Sequence, residues 1–105
     1  MSDTKSSGLQ YFVIIAEQKK KNKFLSLLHE HDARVMETVY GHGSMSPRAI
    51  AAAFGFEAEQ GKVLITCLVK SENAKELINI LYNEYKFSKP NTGIAFTVPV
   101  EGLAF

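Results

Sequence analysis

An α+β chain in the order βαββαβ, with an antiparallel sheet carrying both helices on one face, is the fold that three features of the sequence predict. Four short apolar segments are rich in β-branched and aromatic residues, and two segments between them repeat apolar residues at helical spacing. Clusters of glycine, proline, asparagine and serine punctuate the series. Together they describe the ferredoxin-like arrangement.

The first strand is read at Tyr11 to Ala16, a continuous apolar run too short for a core helix and closed by Glu17-Gln18-Lys19. Asn22 is placed to cap a first helix, in which Phe24, Leu27, Leu28 and His31 fall at i, i+3, i+4 and i+7 and so share a face. Arg34 to Tyr40 alternates Val35, Glu37, Val39 with Met36, Thr38, Tyr40, the period of a second strand, which Gly41 and Gly43 end. The third strand is read at Lys62 to Lys70. Ser71 then offers a cap to a second helix carrying Ala74, Leu77, Ile78, Leu81 and Tyr85 at helical spacing, which Ser88-Lys89-Pro90-Asn91 breaks. Gly93 to Val100 alternates Ile94, Phe96, Val98 and Val100 as a fourth strand, with Pro99 near its end.

One domain over residues 9–105, preceded by a flexible leader over residues 1–8, is what 105 residues with 46% hydrophobic content allow. Twelve basic against eleven acidic side chains leave a formal charge of +1, so no long-range field draws the chain to nucleic acid or to an anionic membrane. The polar start and the lack of a long apolar run argue against a signal peptide or a spanning helix, and a single cysteine, Cys67, suits a reducing compartment. The expected location is the cytoplasm.

Strands one and three are apolar on both sides, with Val63, Ile65, Cys67 and Val69 opposing Leu64 and Leu68 in the third. An antiparallel sheet that faces water normally alternates apolar with polar, so the second face is expected to be covered, and the chain has no spare helix to cover it. Other subunits are the expected cover.

The segment from Gly41 to Gly61 is far longer than a β-to-β turn requires, and long connections inside compact domains are usually functional or disordered. Ser46-Pro47 can start a short helix there, closed by Gly55. Gly41-His42-Gly43-Ser44 forms either a nest of backbone N–H groups around an anion or simply a turn.

The chain resembles the PII nitrogen-regulatory signalling family, as a divergent PII-like member. The match runs from about Leu9 to Glu101. It rests on Val39-Tyr40-Gly41-His42-Gly43, which is similar to the family's Val-Lys-Gly-Phe-Gly, and on Gly93-Ile94-Ala95-Phe96-Thr97-Val98-Pro99-Val100-Glu101, which is similar to its Gly-Lys-Ile-Phe-Val-Phe-Pro-Val-Glu. The resemblance implies a homotrimeric sensor, not an enzyme, with no required cofactor and an adenine nucleotide as its effector in clefts between subunits. By the same resemblance the ligand meets Gly41, His42, Gly43, Ser44, Thr92 and Gly93. The T-loop, at about residues 42–61, would act on a regulated enzyme or transporter through Met45, Arg48, Ile50, Phe54 and Phe56. Asn91-Thr92-Gly93-Ile94 stands where the family has Gly-Asp-Gly-Lys, and the arginine-bearing tail and T-loop tyrosine are absent, so nucleotide affinity is expected to be modest.

Other side chains read as structural. His29, Glu30, His31 and Asp32 suggest a metal, but residues two apart on a helix do not share a face. Cys67 reads as a small buried hydrophobe, and Lys19, Lys20, Lys21 and Lys23 as a solvated edge. The alternative on this fold is a small metal-binding or metal-tolerance protein; the paired cysteines of a heavy-metal domain are lacking, and so is the sequence pattern of the divalent-cation-tolerance family.

Overall fold

The computed structural model describes residues 8–40, 62–90 and 92–101. The elements are β1 (Leu9–Glu17), a 3-10 turn (Gln18–Lys20), α1 (Lys21–Glu30), β2 (Arg34–Tyr40), β3 (Lys62–Lys70), α2 (Ser71–Asn83) and β4 (Gly93–Val100). The four strands form one antiparallel sheet in the order β2-β3-β1-β4. The expected architecture is present.

Both helices lie on one face. There Phe12, Ile14 and Ala16 of β1 and Val63, Ile65, Cys67 and Val69 of β3 pack with Phe24, Leu27 and Leu28 of α1 and with Ala74, Leu77 and Leu81 of α2. Fully burying a large aliphatic or aromatic side chain contributes about 1.5–3 kcal/mol, so this cluster is the main support of the fold. The opposite face carries a second cluster of Val13, Ile15 and Leu64, packed with Val39, Ile94 and Phe96. Farther along the same face Tyr11 and Val98, cross-strand partners, are 41% and 47% exposed. The sheet is therefore apolar on both sides, as the strand patterns require.

Both predicted helix caps are corrected. The 3-10 turn runs directly into α1, whose N-cap is Lys20 with no side-chain cap bond, so the backbone is already helical at Asn22. Lys70 is the N-cap of α2, and Ser71 is its first helical residue. The Ser71 N–H donates to the Gly8 carbonyl at 2.9 Å, and its hydroxyl accepts from Gln10 Nε2 at 3.3 Å, which ties the helix start to the beginning of β1.

Helix α2 also ends earlier than its breaker residues suggest. The Glu84 and Tyr85 N–H groups both donate to the Ile80 carbonyl, and Lys86 at φ 63° turns the chain so that the Phe87 N–H reaches the Leu81 carbonyl. A left-handed residue is a common way to end a helix. Tyr85 and Phe87 then fall back on Phe24, at ring-centroid distances of 5.3 and 5.8 Å. The spacing that suggested a longer helix reflects a turn packing on the same core.

Strand β2 contains a bulge. Arg34 faces Leu68 and Glu37 faces Thr66, so one extra residue sits on the edge strand, a device that blunts an edge against unwanted pairing. Val35 within it has φ 52° and is 68% exposed. A β-branched residue in the left-handed region costs roughly 1–2 kcal/mol, partly offset by the chain entropy a glycine would add to the unfolded state. Val35→Gly is therefore expected to stabilise the fold by about 0.5–1 kcal/mol, read from the denaturant midpoint at unchanged slope. An unchanged or lower midpoint would mean that the bulge is held by contacts of the valine side chain.

Candidate functional site

The end of the sheet where β1 and β2 finish and β3 and β4 begin holds Tyr40 and Gly93. Tyr40 pairs with Val63, Val63 with Ala16, and Ala16 with Gly93, so these residues form one row across all four strands. Tyr40, the last residue of β2, stands at one end of that row and Gly93, the first of β4, at the other, three strand spacings or roughly 14 Å apart.

Of the predicted ligand residues, Thr92 and Gly93 are described, and both are half-buried. Gly41, His42, Gly43 and Ser44 lie outside the described residues, as do Met45, Arg48, Ile50, Phe54 and Phe56 of the predicted T-loop. At Gly93 the reason for glycine is spatial. A Cβ there would lie 2.6 Å from Cε1 and 2.8 Å from Cε2 of Phe87, closer than carbon atoms approach, and nearer still to its Cζ. The Phe87 ring thus rests on the bare Cα of Gly93 and fixes where β4 begins.

At the other end of the row, Lys21 Nζ donates to Tyr40 Oη at 2.8 Å and lies 5.5 Å from the Tyr40 ring centroid. Tyr40 is 41% exposed, and the Lys21 hydrogen bond lowers its phenol pKa from the usual value, against an opposing effect of desolvation. Lys21 is thus more than part of a solvated edge: it steadies the last residue before the long connection. Lys19 pairs with Glu17 at 3.5 Å, an exposed contact of small energetic consequence.

Within the histidine cluster His31 has a structural role. His31 Nδ1 is 2.9 Å from the Leu27 carbonyl and Nε2 is 3.6 Å from Glu76 Oε1, while its own carbonyl accepts from Asn73 Nδ2 at 3.1 Å. His31 joins the end of α1 to α2. Among the described residues, no group of three or more histidine, cysteine, aspartate or glutamate side chains is placed to hold a metal. Cys67 is buried on the helix side, where desolvation pushes its thiol up to about 11 and keeps it protonated at neutral pH. Among the described residues, no helix is long and apolar enough to cross a membrane.

No protein-family model matches the sequence, and neither does any curated protein. Solved structures do. A PII-like signalling protein of Thermus thermophilus superposes with a TM-score of 0.63 at 18% identity, over 88% of this chain and 85% of that one. The chain has the PII-like fold. The nitrogen regulatory PII-like protein CPII of Thiomonas intermedia, bound to ADP, AMP and bicarbonate, superposes equally well, with a TM-score of 0.63 at 17% identity over 91% of this chain and 93% of that one. The same CPII bound to ADP, AMP and acetate gives a TM-score of 0.63 at 17% identity, over 91% and 89% of the two chains. What the chain shares with these PII-like structures is the ferredoxin-like fold.

Proposed function

We propose that this chain is a PII-like signal-transduction protein: a homotrimeric sensor that binds a small anionic effector, an adenine nucleotide in the favoured case, between subunits. Its output is the T-loop over about residues 42–61, which regulates a partner enzyme or transporter. The observation that carries the reading is the fold shared with PII-like proteins, in which Tyr40, the residue before the first glycine turn, and Gly93 of the second stand at one end of the sheet roughly 14 Å apart. A ligand that uses the Gly41 turn of one chain and the Thr92-Gly93 turn of another needs no such span. The fold shared with CPII, whose structures hold ADP and AMP, supports the nucleotide as effector. Backbone N–H groups at glycine turns bind phosphate without a lysine, at lower affinity.

Calorimetry with ATP, ADP and AMP on the assembled protein tests this. Saturable binding of at least one nucleotide, one site per chain, is the expected result. No heat with any of the three, while an unrelated metabolite binds, would set the nucleotide reading aside. The T-loop is expected to change its amide-exchange protection with the nucleotide that binds, because an effector shifts a loop only by favouring one of its states.

A further inference from the structure

The alternation of β4 is asymmetric in size as well as in polarity. Ile94, Phe96, Val98 and Val100 share the face of Val13 and Ile15, while Gly93, Ala95 and Thr97 face the helices. Small residues opposite α2 leave a trough between that helix and the sheet. It consists of two cavities that meet at Ile78. One, of about 410 Å³, is lined by Gln10, Ser71, Lys75, Asn79 and Thr97 beside Ile78. The other, of about 200 Å³, continues along α2 to Tyr82, Phe87 and Ala95.

The two halves differ in chemistry. The first gathers hydroxyls, side-chain amides and one ammonium around an apolar floor, and the second is almost wholly apolar. Lys75 forms no ion pair among the described residues, and no carboxylate lines either half. Glu76, its neighbour on α2, is directed to His31 on the side of α1. Ligand sites typically combine an apolar wall with a few convergent polar groups that fix orientation, which is the division seen here.

We propose that this trough is a second small-molecule site, taking a monocarboxylate with an unbranched apolar chain. The carboxylate sits by Lys75, Asn79 and Thr97, and the chain lies over Ile78 toward Tyr82 and Phe87. The unpaired ammonium selects negative charge, and the apolar half selects a chain over a second polar group. The site lies on the helix side of the sheet, its polar half at the opposite end of β4 from Thr92. Its polar half does not depend on the nucleotide reading, and its apolar half ends against Gly93, a residue of the proposed nucleotide site.

Amide NMR titration of the full chain with butanoate, hexanoate and octanoate, below their micellar concentrations, tests the proposal. Saturable shifts are expected at Lys75, Asn79, Tyr82, Ala95 and Thr97, with affinity rising about fourfold for each added methylene that is buried. Octylamine is expected to bind at least about tenfold more weakly than octanoate, and Lys75→Met to weaken octanoate by about tenfold while the chain-length trend persists. Lys75 is exposed, so the variant should fold as the parent does, checked by its circular dichroism. Equal binding of octylamine, an unaltered octanoate affinity in Lys75→Met, or shifts centred on Tyr11 and Val98 would overturn the site. Trough resonances that move on dilution and not on adding octanoate would also overturn it, assigning the trough to a second copy of the chain. Nucleotide calorimetry is scored separately, so either reading can fail alone.

Discussion

Gly93→Ala is expected to lower the stability of the fold by about 1–3 kcal/mol, the range for forcing an added methyl into a packed site. The methyl would overlap Cζ, Cε1 and Cε2 of Phe87. That ring cannot simply swing aside, because it packs against Phe24 at 5.8 Å beside Tyr85, and the turn through Lys86 fixes its backbone. Each kcal/mol corresponds to roughly 4–8 °C in melting temperature for a domain of this size. The cause is separable from any loss of backbone freedom by a double-mutant cycle. In a Phe87→Ala background the clash is gone, and the added cost of Gly93→Ala should fall below about 0.5 kcal/mol. Additive costs in the cycle would show that the glycine is required for a reason other than the ring. Because Thr92-Gly93 is half of the proposed nucleotide site, the single variant should also weaken ADP binding, and the double variant need not restore it.

How far the sequence could be read depends on whether the deciding interaction is local. The bounds of β2, β3 and β4 coincide with the expected Arg34–Tyr40, Lys62–Lys70 and Gly93–Val100, because alternation and glycine breakers are properties of neighbouring residues. Strand β1 is longer than its apolar run, since Leu9, Gln10 and Glu17 join through backbone pairing with β3. The helix starts differ from the expected caps at Asn22 and Ser71 for a similar reason. At Ser71 the backbone donor is taken by Gly8, a partner that no helix-start pattern contains. The glycine turns were legible as candidates, but Lys21 meets Tyr40 across nineteen positions of sequence, and that contact depends on where α1 starts. The trough had a sequence signal in the small residues Gly93, Ala95 and Thr97, yet its meaning required knowing that this side faces α2.

Val98→Lys is expected to convert the proposed homotrimer into a folded monomer. In an isolated chain Val98 is 47% exposed beside Tyr11, and a substitution at such a position usually changes stability by no more than about 0.5 kcal/mol. The assembled state is different. If the apolar face of the sheet meets its copies, each subunit would carry an unpaired ammonium into an apolar interface, at an effective penalty of several kcal/mol per ion. Three such charges also repel one another. Light scattering should then report a fall from about 35 kDa, three chains of 11.7 kDa in closed cyclic symmetry, to a single chain, with unchanged circular dichroism. ADP binding should be lost together with the assembly, because the proposed site takes its two glycine turns from different subunits. A Val98→Lys protein that stays trimeric would move the interface off this face. A monomer that binds ADP as tightly as the parent would place the whole nucleotide site within one subunit and end the case for a shared one.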